Sequence, residues 1–180
     1  MNYEKIRVRK LRPDEKVKAF DCGDDDLNEF ILKEAPDYRK ALLAVTYILE
    51  DIPSGEVLAY FSLANDRISL SDFENKAEFN RFRKRRFINE KRLKSYPASK
   101  LCRLAVHLSA KGMHLGTYLI DFIKSFFVVD NKTGCRFLTV DAYQDAVPFY
   151  LKNGFVPLND DDKEDFTRLL FFDLNDISEY

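Results

Sequence analysis

Residues 103–124 read RLAVHLSAKGMHLGTYLIDFIK, and residues 135–155 read CRFLTVDAYQDAVPFYLKNGF. In the first stretch, together with the ASKLC before it, dense apolar residues predict a strand, and Gly112 stops it. Leu115, Leu119, Phe122, Ile123 and Phe126 then recur at helical spacing from Gly116 to about Val129. Strand, glycine-containing turn and helix therefore follow in direct succession. In the second stretch CRFLTVDAY predicts a buried strand and AVPFYLKNG a short helix, with Pro148 tolerated in its first turn. Asn153 and Gly154 end that helix, since both accept positive φ.

Working outward, residues Ile6 to Leu11 alternate as a first strand, and Asp24 or Asp25 is placed to cap a helix that turns Leu27, Phe30 and Ile31 inward. Pro36 ends or kinks it. ALLAVTYILE and EVLAYFSLANDRISL are apolar and β-branched around the turn residues IPSG, which predicts a hairpin. Residues 71–95 mix Phe73, Phe79, Phe82 and Phe87 with many charges and predict one or two inserted helices. Phe155 to Pro157 and Phe166 to Leu174 supply two final strands. The order β, α, β, β, insertion, β, α, β, α, β, β predicts an α/β chain of the α+β type, a mixed sheet with helices on its faces. At 180 residues it is expected to be one domain spanning residues 1–180.

Composition excludes several function classes. The N-terminus lacks a signal-peptide run and no stretch approaches a membrane helix, so cytoplasmic residence without a membrane partner is expected. Cys22, Cys102 and Cys135 are widely spaced, and only His107 and His114 offer imidazoles, so neither a disulfide framework nor a metal is expected. A formal net charge of −1 provides no global attraction to nucleic acid. Charge is nevertheless segregated into a basic run, Arg81 to Lys94, and an acidic one, Asp160 to Asp165. Each by itself reads first as a solvated surface.

Chemistry enters at KGMHLGT. Amides at a helix start point outward and the dipole favours an anion there, so a phosphate fits this turn. The glycines match neither the P-loop nor the dinucleotide fingerprint.

The two stretches quoted at the outset together resemble the GNAT (GCN5-related N-acetyltransferase) family over residues 101–155. The resemblance implies a GNAT fold, a mostly antiparallel sheet flanked by helices, with acetyl-CoA as co-substrate. It assigns Leu104, Ala105 and Val106 to the pantetheine arm, with the Val106 N–H as oxyanion donor, a contribution of roughly 3 kcal/mol when preorganised. It assigns Lys111, Gly112, Met113, His114, Leu115, Gly116 and Thr117 to the loop around the diphosphate, and Gln144 to a position where relatives often place Asn. The family's loop opens with Gln or Arg and has Gly where His114 stands, so two of its three marked positions differ here. Because the loop binds through backbone N–H groups, His114 is compatible if it adopts positive φ. Lys111 keeps a cation, though without the fork of Arg. A weaker grip on the cofactor, or an altered loop path, is expected.

Within PFYLKNGF, Tyr150 matches the family tyrosine that faces the thioester sulfur. A phenol of pKa near ~10 is protonated at neutral pH and can donate to a thiolate whose conjugate thiol titrates near ~8.5. Its competing role is packing. No base for the amine is identifiable, and His107 and Asp141 read better as structural groups.

The lead reading is acetyl transfer to a primary amine of unidentified acceptor. FDCGDDDLNEFI, YPASKLCRLAV and CRFLTVDAYQDAVPFY also resemble the toxin branch of the family, which acetylates aminoacyl-tRNA. That resemblance implies tRNA, contacted by the Arg81 to Lys94 run with Phe82 and Phe87 interleaved, and a ribbon-helix-helix antitoxin as partners. A noncatalytic acyl-CoA-binding module is the third reading, and the sequence leaves a homodimer open.

Overall fold

The computed structural model describes residues 5–87, 93–129 and 133–177. Seven strands follow the sheet order β1 (Ile6–Lys10), β2 (Val45–Asp51), β3 (Val57–Ser69), β4 (Ser95–Val106), β5 (Phe137–Tyr143), β7 (Thr167–Asp173), β6 (Val156–Pro157). Pairing is antiparallel for β1 with β2, β2 with β3, β5 with β7 and β6 with β7, and parallel for β4 with β5. This is the mixed, mostly antiparallel sheet that the sequence predicts. The chain divides into two compact units, Met1–Ala64 with Leu101–Ile123 and Asn65–Lys100 with Lys124–Tyr180.

In the first unit, α1 (Asp25–Glu29) opens on Asp24, whose Oδ1 accepts from the Leu27 N–H at 3.0 Å. The helix does not end at Pro36. Proline lacks a donor and its ring crowds the carbonyl four residues back, and the chain widens ahead of it into a π-helical turn, Phe30–Glu34, in which the Ala35 N–H reaches the Phe30 carbonyl. It then continues as α2 (Ala35–Lys40) with Pro36 in the first turn. Phe30 and Ile31 are buried with Leu11, Val17, Phe20, Ile48 and Tyr60, and the Tyr60 hydroxyl donates to the Leu27 carbonyl at 2.7 Å. Leu42 takes a φ of 59° in the turn after α2, so β2 begins at Val45 rather than Ala41. Beneath the β1–β2 pair, the buried Glu50 receives Arg7 Nε at 2.6 Å and Arg9 Nε at 2.7 Å.

In the second unit the insertion holds a 3-10 turn, Leu70–Asp72, and a helix α3 (Lys76–Lys84) capped by Asn75, whose Oδ1 accepts from Ala77 and Glu78. Phe73, Phe79 and Phe82 are buried against Tyr96, Phe137 and Phe171, and that aromatic cluster is the reason a highly charged segment folds here. The remaining helices are α4 (Leu115–Val129), which buries Leu115, Leu119, Ile120 and Ile123, and α5 (Val147–Lys152). No described helix is long and apolar enough to cross a membrane.

Candidate active site

Leu104, Ala105 and Val106 end β4, with Ala105 buried and its neighbours half-buried. The His107 N–H donates to the Leu58 carbonyl at 2.8 Å and fixes where the strand stops. A single 3-10 turn, Leu108–Ala110, follows. The His107 ring caps it, with Nδ1 accepting from the Ser109 N–H at 3.1 Å and lying 2.8 Å from Ser109 Oγ. This occupies His107 in the turn, as its expected structural role requires.

The next residues set the helix start. The Lys111 N–H donates to Leu108 and that of Met113 to Ala110, with Gly112 at φ 80° and His114 at φ 58°. His114 thus adopts the left-handed conformation for which glycine is the ordinary choice. The substitution has not closed the turn. The Tyr118 N–H donates to the His114 carbonyl, just ahead of α4, at 3.0 Å, so the amides of Leu115, Gly116 and Thr117 precede that bond and are those a helix leaves for an anion. Lys111, Gly112, Met113 and His114 are exposed around that mouth. All ten residues from the strand end and the loop lie in the first unit.

Tyr150 and Gln144 lie in the second unit. Tyr150 sits in α5 and is 7% exposed, edge-on to Phe149 and Phe155 with ring centroids 5.1 and 5.5 Å away. Burial pushes its phenol well above the ordinary tyrosine value, which keeps the proton on at neutral pH. The helix is short but firmly ended. The Phe155 N–H donates to the Tyr150 carbonyl at 3.1 Å, and Lys124 Nζ donates to the Asn153 carbonyl at 2.7 Å while lying 4.0 Å over the Phe172 ring. Gly154 has a φ of 81°, and a Cβ there would stand 3.2 Å from the Phe172 ring, so the position demands glycine. Asn153, expected to share the left-handed turn, keeps a φ of −92°.

Gln144, expected beside the cofactor, is held by the acidic loop. Its Nε2 donates to the carbonyls of Lys163 at 3.1 Å and Asp165 at 2.7 Å, anchoring the acidic loop. Asp141 is ion-paired with Lys100. The basic run is also redistributed by the fold. Arg86 lies over Phe82 and Phe171 at 4.3 and 4.9 Å and pairs with the buried Asp173, and Phe87 stacks on Tyr96 at 4.2 Å. Its aromatics pack inward instead of offering stacking faces; Arg81, Lys84 and Arg85 remain exposed, and Lys91 and Arg92 lie outside the described residues.

Residues 87–173 match the acetyltransferase (GNAT) domain family model. No curated protein sequence matches the chain. Among solved structures, a mutant of KacT matches with a TM-score of 0.78 at 20% identity, covering 97% of this chain and 98% of that one. AtaT complexed with acetyl-methionyl-tRNAfMet matches with a TM-score of 0.76 at 24% identity, again over 97% and 98%. AtaTR bound with acetyl-CoA matches with a TM-score of 0.72 at 24% identity over 98% of each chain. The match to the GNAT acetyltransferase domain covers residues 87–173, and the whole-length structural neighbours include proteins described as toxins.

Proposed function

We propose that the protein transfers an acetyl group from acetyl-CoA to a primary amine, and that the amine is the α-amino group of an aminoacyl-tRNA. The observation that carries the cofactor reading is the backbone of the loop: His114 at φ 58° preserves the path a glycine would give and leaves the α4 amides open. In this reading Lys111 to Thr117 receive the diphosphate, Leu104 to Val106 the pantetheine arm, and the Val106 N–H the oxyanion. The amine nitrogen forms the new C–N bond, the C–S bond breaks, and the thiolate takes the Tyr150 proton. Solvent carries the proton lost by the amine and restores the phenol.

The acceptor reading is supported by likeness along nearly the whole chain to AtaT, solved with an acetylated methionyl-tRNA and, as a mutant toxin, with the C-terminus of the antitoxin AtaR. A ribbon-helix-helix antitoxin is the corresponding partner. Incubating the protein with labelled acetyl-CoA and a mixture of charged tRNA and cell protein tests this directly. Label in aminoacyl-tRNA is expected. Label confined to protein or small amines would retain the enzyme and reject the acceptor, and CoA binding without any turnover would favour a noncatalytic module.

A further inference from the structure

The turn 21–24 lies outside every site residue named so far, yet it is bonded to the loop that carries Lys111. The Asp21 carbonyl accepts from the Leu108 N–H at 2.8 Å. Its carboxylate Oδ1 accepts from the Gly23 N–H at 2.8 Å and from Asn28 Nδ2 at 3.1 Å. Asn28 Oδ1 in turn accepts from the Cys22 N–H at 2.9 Å and from Cys22 Sγ at 3.2 Å. Phe20 packs edge-on to the His107 ring at 5.6 Å, so the segment borders both ends of the loop 107–111. Gly23, at φ 85°, completes the surface: a Cβ there would stand 3.5 Å from Leu108 and 3.7 Å from Lys111 Nζ. The Lys111 ammonium thus lies beside this turn, and among the described residues it has no carboxylate partner.

We propose that Asp21 and Asn28 are positioning residues for the cofactor diphosphate, locking the turn 21–24 against the loop 107–111 and so fixing where Lys111 presents its charge. The inference rests on the acetyl-CoA site proposed above. A lysine is a single charge on a flexible stem, without the fork that lets an arginine orient itself on phosphate oxygens. It gains directionality only from what borders it. The two-sided use of Asn28, donor to Asp21 and acceptor from Cys22, makes that side chain the closure of the turn. The Gly23 N–H and Asn28 together hold the Asp21 carboxyl below the ordinary aspartate range, and the nearby charges of His107 and Lys111 act in the same direction.

The test is CoA affinity by calorimetry at about 0.05 M and about 0.5 M salt, which screen an exposed charge to very different extents. Lys111→Ala is expected to lose about tenfold in affinity at low salt and to flatten the salt dependence, because one unit charge on the diphosphate is gone. Asn28→Ala should reproduce both effects, the double variant should be no weaker than Lys111→Ala, and Asp21→Asn should recover most of what Asp21→Ala loses. If Asn28→Ala fails to fold, Asn28→Asp serves instead, since it keeps the acceptor for Cys22 and removes the donor to Asp21. A loss in the Asn28 variant with unchanged salt dependence, additive with Lys111→Ala, overturns the proposal in favour of a merely structural turn. No effect of the Asn28 variants beside a clear effect of Lys111→Ala overturns it too. If Lys111→Ala itself leaves affinity and salt dependence untouched, the diphosphate placement fails, and this proposal with it.

Discussion

In the proposed mechanism two residues make a sharp demand each. A left-handed backbone costs a non-glycine residue roughly 1 kcal/mol, and His114 bears that cost in the turn before α4. His114→Gly removes the strain while adding freedom to the unfolded chain, so stability should change by less than about 1 kcal/mol with CoA binding retained. His114→Val adds β-branching at the same φ, and should lose about 1–2 kcal/mol in urea unfolding and weaken CoA in calorimetry. Equal behaviour of the two variants would show that the loop path does not matter. Tyr150 makes the second demand. Tyr150→Phe keeps the ring among Phe149 and Phe155 and removes only the hydroxyl. If Tyr150 is the general acid, kcat from thiol release should fall by roughly 10²-fold or more with CoA affinity nearly unchanged; full turnover would leave it a packing residue. The place of His114 was legible because a loop reading through backbone amides tolerates a side chain that accepts positive φ. Gln144 was not, because nothing local to QDAVPFY announces the carbonyls of Lys163 and Asp165 that its amide meets.

At the level of elements, periodicity located β1, β3, β5, β7 and α4 within a residue or two, while β2 and β4 differ by three or four residues at an end. Of the two outcomes expected at Pro36, an end or a kink, the end does not occur, because a π-helical turn ahead of it lets the chain absorb the missing donor and continue. Periodicity could not assign the aromatics of residues 71–95, whose partners Tyr96, Phe137 and Phe171 are distant in sequence. The β1–β2 pair offers a test of its own. Burial of Glu50 raises the cost of its charge, but Arg7 and Arg9 outweigh that and hold its carboxyl below the ordinary glutamate range. A lowered folded-state pKa means the pair stabilises fully above the unfolded glutamate value and loses that contribution as pH falls through the folded one. Glu50→Gln should therefore cost about 1–3 kcal/mol at neutral pH. The difference from wild type should shrink below about pH 4, as read by urea unfolding across pH. A difference independent of pH would assign the loss to shape and not to charge.

For the whole molecule, the formal charge of −1 sets the terms on which a polyanion could bind: attraction has to be local. With Arg86 engaged by Phe82, Phe171 and Asp173, the exposed cations toward the end of α3 include Arg81, Lys84 and Arg85. Replacing those three by alanine should weaken tRNA binding and reduce its salt slope by about 2 to 3, one unit per lost phosphate contact, without moving CoA affinity. A wild-type protein that shows no salt-sensitive tRNA binding would make this surface merely solvated. The two units have a further consequence, for the order in which the chain acquires structure. Neither is contiguous: the first needs Leu101–Ile123 to join Met1–Ala64, and the second needs Lys124–Tyr180 to join Asn65–Lys100. A growing chain therefore cannot finish its first half and set it aside before the second begins, as consecutively encoded domains do during synthesis. The β2–β3 hairpin and α1 can form early, but β4 emerges late, and until it does the core around Phe20, Phe30 and Tyr60 lacks Ala105. The loop 107–117 is thus among the last parts of the first unit to be made, so that unit closes only after residues 65–100 of the second have been synthesised.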